Sequence, residues 1–336
     1  MKKCITITKK GVALVLTKLR YLSVQRAVDL GDILCASRFI PAIKELHPNA
    51  YITAYLDTEG NPMQEQWIRA LYPSSYDEII TIPSKKYKHF VTNSQYGEET
   101  RYGALENIPD KYVFEMRSAD VFYDMHIDGM KWVNYPFDWL RYFYHFPRPE
   151  LPRQARGRRI FIHLASNNLQ SDHQNEKWYN INLVNRLSKI AEFCYLVYTP
   201  KTEHIIRAIY QNVKQIGGVG LFASDDPKEI AMLIDQCSLF VGMDSGLKYL
   251  AAGYSLPCIL FARQCYLPHQ VAASHKVRWL IHENDYMPVN YNVEYVAEIA
   301  KKYLDNPLFN LSPRSNFTDF IVRDYKVNDE KSILNS

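Results

Sequence analysis

The chain has 336 residues, of which 47% are hydrophobic and 23% charged, and its formal net charge is +4. That length suits one large or two medium domains, and that composition excludes a chain disordered throughout. The charge is too mild for a dedicated nucleic-acid domain, and it fits an anionic substrate without demanding one.

Strand-like apolar runs alternate with helix-like segments from the start. VALVL (12–16) reads as a strand, DILCASRFIPAIKELHP (32–48) as an amphipathic helix and YITAYL (51–56) as a strand. NPMQEQWIRALYP (61–73) then reads as a helix and DEIITI (77–82) as a third strand. Strand, helix, strand, helix, strand is the pattern of a parallel sheet. Residues 84–145 lose this rhythm and form an irregular insert, first polar and then intensely aromatic. HFPRPELPRQARGRR (145–159), with three prolines and several arginines, is the candidate linker.

The rhythm then restarts. RIFIHL (159–164) is a strand, EKWYNINLVNRLSKIA a helix, FCYLVYT (193–199) a strand, and KTEHIIRAIYQNV (201–213) and DPKEIAMLIDQC (226–237) are helices. LFVGMDSGLKYLAAGYSLPCILFA (239–262) supplies a strand, a turn, a short helix and another strand. The expected architecture is α/β: two Rossmann-like domains, 1–150 and 151–310, facing across a cleft, with a polar tail at 311–336. Ligands of open parallel sheets bind in such clefts.

The six cysteines form no CxxC pair, and several lie inside apolar runs, as buried reduced thiols do. No HExxH or clustered Cys/His spacing supports a metal, and none is expected. The charged opening MKKCITITKKGVALVL has no leader-like apolar core, and no stretch approaches eighteen apolar residues. A cytoplasmic protein is the expectation; oligomeric state stays open.

Three places carry candidate chemistry. In MDSGLKY, Ser245 offers a hydroxyl, Gly246 permits close backbone approach, and the amides around Leu247 begin a helix, an arrangement that attracts phosphate. The plainer alternative is a capped helix start, with Asp244 as the cap. In GDIL, Asp32 stands where a helix begins; it is either an N-cap or a carboxylate able to take a proton from a hydroxyl. After the strand at 159–164, Ser166 and Lys177 flank a polar loop, and the lysine is either a phosphate counter-charge or solvated surface. No GxGxxG accompanies any of them, so no dinucleotide fingerprint is present.

In combination and order these segments resemble the heptosyltransferase group of glycosyltransferase family 9, which has the GT-B fold. The first half matches in GDILCASRFIPAIKELHPNAYITAYL, and the second in FIHLAS, EKWYNINLVNRL and VGMDSGLKYLAAGYSLPCILFA, with TPKTEHIIRAI where the family has a G-x-x-x-E segment. The likeness covers about 1–80 and 158–285. It implies an inverting, metal-independent transferase moving a sugar from a nucleoside-diphosphate sugar to an acceptor hydroxyl, most readily a lipopolysaccharide-type or other surface saccharide. By the same resemblance Asp32 is the catalytic base, while Ser166, Lys177, Asp244, Ser245, Gly246 and Leu247 bind the donor. Tyr249 stands where the family usually has a donor-contacting histidine, and the loop from Ser166 to Lys177 is longer than usual.

Arg20 and Arg26 precede Asp32 and face either the acceptor or water, and Trp132 and Trp139 of the insert are further acceptor candidates. Basic residues interleaved with aromatics over 85–144 also suit a nucleic acid, so the same donor chemistry on a nucleic-acid (modified base) or protein acceptor is the alternative. A non-catalytic sugar-nucleotide-binding module and an epimerase on the same fold are the remaining readings.

Overall fold

The computed structural model describes residues 12–16, 34, 40–46, 48, 51–57, 62–82, 121–124, 146–165, 174–243, 245–263, 277–282 and 292–306. Two compact units emerge, and the main chain passes from one to the other at Pro152–Arg153.

The first unit is built on a four-stranded sheet. Its strands are β1 (Val12–Leu16), β2 (Ile52–Asp57), β3 (Glu78–Ile82) and β4 (Val121–Asp124), in the order β3-β2-β1-β4 and all parallel. Helices α1 (Ile40–Leu46) and α2 (Pro62–Leu71) lie in the connections. In α2 the buried residues Trp67, Ile68 and Leu71 recur at three and four positions, so one stripe of the helix is buried. The aspartate before β3 fixes the sheet's start: Ile52 N–H donates to Asp77 Oδ2 at 2.7 Å, and Asp77 N–H returns a bond to the Ile52 carbonyl at 3.0 Å. β4 corrects the sequence expectation. It lies inside the supposed irregular insert, yet it pairs with β1 from Val12–Val121 to Val15–Asp124.

The second unit holds a six-stranded parallel sheet. Its strands are β5 (Arg159–His163), β6 (Phe193–Val197), β7 (Val219–Phe222), β8 (Leu239–Met243), β9 (Cys258–Arg263) and β10 (Val277–His282). Their order is β10-β9-β8-β5-β6-β7, the doubly wound arrangement in which the chain builds outward from β5, then returns to its other side. Among the described residues five helices connect and cover them: α3 (Gln174–Ser188), α4 (Glu203–Val213), α5 (Pro227–Gln236), α6 (Leu247–Gly253) and α7 (Val293–Asp305). β8 is buried along its whole length, and its Phe240 ring stacks on Phe161 of β5 at 5.3 Å.

Local chemistry sets the helix ends. Asp226 accepts from Lys228 N–H at 2.8 Å with Pro227 at the first helical position of α5. Asn292 accepts from the amides of Glu294 and Tyr295 at the start of α7. In α7 the buried Val296, Ile299, Ala300 and Tyr303 face the core that α3 also covers with Leu183, Val184 and Leu187. Cys194, Cys237 and Cys258 are buried free thiols within this unit, as the apolar runs around them imply.

The proline- and arginine-rich stretch is divided between the units. On one side Glu150 receives Ser74 N–H on its carboxylate and donates its own amide to the Leu71 carbonyl at 2.7 Å. On the other, the fully buried Asp235 of α5 accepts Gln154 N–H at 2.9 Å and Arg156 Nη2 at 3.3 Å, with Arg153 Nε 3.4 Å away. Arg156 Nη2 also donates to the Tyr254 carbonyl at 2.6 Å. Arg158 then joins three places in sequence: its guanidinium donates to the carbonyls of Ile190 and Leu304 and to Asp305 Oδ1.

Candidate functional site

The strand order of the second unit reverses between β5 and β8. The crevice beyond the carboxyl ends of two such strands is where open parallel sheets bind ligands, because neither connecting helix covers it. The residues that end these strands therefore border this crevice. β5 ends at His163, followed by the buried Leu164 and Ala165. β8 ends at Met243, and Ser245 and Gly246 lead into α6.

His163 and Gly242 are register partners across these strands. A Cβ at Gly242 would stand 2.6 Å from the His163 carbonyl oxygen and 3.1 Å from its Cβ, so only glycine allows this approach. The imidazole is only 3% exposed, and its Nδ1 lies 3.1 Å from Ser245 Oγ. Burial pushes its pKa down from 6.5 to about 4, so the ring is neutral at physiological pH. The Ser245 hydroxyl thus stands half-buried at the switch point, in contact with a neutral imidazole.

α6 is short, with seven residues. Two of its amides already close the turn, Lys248 N–H onto the Ser245 carbonyl at 3.2 Å and Tyr249 N–H onto that of Gly246 at 3.1 Å. Tyr249 is buried, 4% exposed, and Lys248 Nζ lies 4.5 Å from its ring centroid, a cation–π contact. Lys248 itself is 2% exposed.

Of the residues expected from the sequence, Ser245, Gly246, Leu247 and Tyr249 come together in this turn and helix. Lys177 is exposed in the first turn of α3, beside Trp178, which is 61% exposed. Asp32, Ser166, Asp244, Arg20, Arg26, Trp132 and Trp139 lie outside the described residues. Glu203, from the G-x-x-x-E position, opens α4 and accepts Arg207 Nε at 2.6 Å, while the same guanidinium reaches Tyr198 OH at 3.2 Å. His163 and Lys248 escaped the sequence reading. His163 was legible as the one imidazole at the end of the strand that a doubly wound order sets beside the DSG strand. Lys248 was not, because a lysine near a helix start is ordinarily solvated.

No family model matches the chain, and no curated protein sequence does. Solved structures do match. The structure of the glycosyl transferase family 9 from Veillonella parvula is similar over 89% of this chain and 98% of its own, with a TM-score of 0.56 at 12% identity. The structure of the E. coli ADP-heptose lps heptosyltransferase II is similar over 88% of this chain and 98% of its own, with a TM-score of 0.55 at 13% identity. At this identity the likeness defines the fold, which is the α/β fold of GT-B type. Among the described residues no helix is long and apolar enough to cross a membrane.

Proposed function

We propose that the protein is a glycosyltransferase of the heptosyltransferase-like kind, taking a nucleoside-diphosphate sugar as donor and a saccharide hydroxyl as acceptor. The observation that carries this proposal is the Ser245–Gly246 turn at the switch point of the second sheet, with its hydroxyl held beside a buried neutral histidine. The fold shared with two glycosyltransferase structures supports it, as does the run of motifs from GDIL through MDSG.

In the proposed reaction the acceptor hydroxyl gives its proton to the Asp32 carboxylate while its oxygen bonds to the anomeric carbon. The bond from that carbon to the diphosphate breaks on the opposite face, its electron pair leaves with the diphosphate, and the configuration inverts. Lys177, Ser166, Ser245 and the backbone about Gly246 stabilise the negative charge gathering on the leaving group. With cationic and N–H groups in that role, transfer would proceed without a divalent ion.

The first test is thermal stabilisation by ADP, GDP, UDP and CDP, since a ligand that binds only the folded chain raises its apparent stability. At least one should raise the midpoint by several degrees. Transfer assayed with the matching sugar nucleotide and a saccharide acceptor should persist in EDTA and fall at least a hundredfold in Asp32→Asn. Wild-type rates in that variant would remove Asp32 from the mechanism.

A further inference from the structure

The proposed donor site leaves open how Ser245 presents its hydroxyl, and the answer lies in the residue behind it. A hydroxyl has one hydrogen to donate and can accept as well. An anion at the switch point needs that hydrogen. The hydroxyl must therefore accept from its own neighbour, or its lone pairs would face the anion's negative charge.

The neighbour is His163 Nδ1, 3.1 Å from Ser245 Oγ. A neutral imidazole carries its proton on one nitrogen only, and the partners of the two nitrogens decide which. With the proton on Nε2, Nδ1 would accept and Ser245 would spend its hydrogen on the ring. With the proton on Nδ1, the ring donates to Oγ and the hydroxyl hydrogen is free to turn toward a ligand. The ring has little freedom to evade this choice: it is buried, and Gly242 brings β8 so close that a methyl group there would strike the His163 backbone.

We infer that His163 is a positioning residue for the donor, its Nδ1–H donating to Ser245 Oγ so that the hydroxyl donates to the donor's diphosphate. This inference rests on the donor-binding assignment above and deepens it. His163 touches no substrate and acts through Ser245. Loss of the Ser245 hydroxyl should weaken diphosphate binding by about tenfold to a hundredfold, the range for a hydrogen bond to a charged group, and loss of the His163 contact, a bond between neutral groups, by about twofold to tenfold. The chemical class recognised is a diphosphate, so the four nucleoside diphosphates and inorganic pyrophosphate are the probes.

The test compares the wild-type chain with His163→Phe, His163→Asn and Ser245→Ala. The phenylalanine fills the ring's space without a donor, while the asparagine amide can place an N–H near the Nδ1 position. The expected result is that Ser245→Ala binds the probes about tenfold to a hundredfold more weakly and His163→Phe about twofold to tenfold more weakly, and His163→Asn recovers most of the latter loss. In a merely structural role the asparagine would not rescue binding. A second readout needs no variant. In the wild-type chain, 15N spectra of the histidines with a bound nucleoside diphosphate should show His163 protonated on Nδ1, and this decides the matter should His163→Phe fail to fold. Binding unchanged in His163→Phe, or a bound state with Nδ1 unprotonated, overturns the inference and leaves the donor assignment standing. If none of the probes binds the wild-type chain, the donor assignment itself fails and takes the inference with it.

Discussion

Removing the Asp235 carboxylate should loosen the segment that leads into the second unit. Its partners are unequal. Gln154 N–H, at 2.9 Å, makes a charge-assisted bond with a backbone group, and losing such a bond costs about 1.5–3 kcal/mol. Arg156, about a quarter exposed, loses a 3.3 Å bond but keeps the Tyr254 carbonyl at 2.6 Å, so its share is smaller. Arg153, at 3.4 Å and nearly half exposed, adds little because water screens it. Asp235→Ala should therefore cost about 3 kcal/mol, below the upper range for breaking a wholly buried pair. Asp235→Asn keeps an acceptor for Gln154 N–H and should cost about half as much. Urea unfolding followed by circular dichroism, reading midpoint and slope together, measures the loss. Trypsin offers a local check: Arg153 and Arg156 are its own cleavage residues, and cutting there should accelerate. A change under about 0.5 kcal/mol in Asp235→Ala, with unaltered cleavage, would refute this account of how the segment is held.

Acidification should act through His163. The unfolded ring takes up a proton near pH 6.5 and the folded one only near 4, so stability is full above 6.5 and falls as the pH drops toward 4, by about 3 kcal/mol in all. Unfolding free energies between pH 7 and 4 should show this slope, and His163→Phe should flatten it. Gly242→Ala must separate β5 from β8 and should destabilise by about 1–3 kcal/mol, seen as a lowered unfolding midpoint together with loss of probe binding. Burial pushes the thiols of Cys194 and Cys237 up to about 12 and that of Cys258 higher still, so all three should resist alkylation at pH 8 until the chain is unfolded.

Most of the sheet framework was legible because its central strands are continuous apolar runs, as buried parallel strands are. VALVL, RIFIH and LFVGM became β1, β5 and β8 with bounds shifted by a residue at most. The strands that escaped are of another kind. β4 has four residues, VFYD, set in an aromatic stretch whose every segment resembles it. β7 is the short edge strand VGLF, introduced by Gly217 and Gly218 at φ 75° and 67°, so turn chemistry masks its start. β10, VRWLIH, carries an arginine and a histidine within the run, which hides the apolar signal. Helix α7 is different again: the Asn292 cap and the spacing of Val296, Ile299, Ala300 and Tyr303 were available as a helix signature. At the candidate site, the DSG turn was visible as a local motif. Its tie to His163 had no local signal and could be reached only through the doubly wound strand order, because that contact spans 82 positions and exists only through the pairing of β5 with β8.

The strand order β10-β9-β8-β5-β6-β7 also fixes when the candidate site can come into being. As the chain leaves the ribosome, β5, β6 and β7 can assemble first, and β5 then presents a bare flank until β8 emerges. His163 sits at the tip of that flank, waiting for a serine that is made much later. A ribosome-stalled chain ending before Met243 could therefore hold half of a sheet but no crevice between β5 and β8. The candidate site would form abruptly during synthesis, when the second half of the sheet docks along that flank.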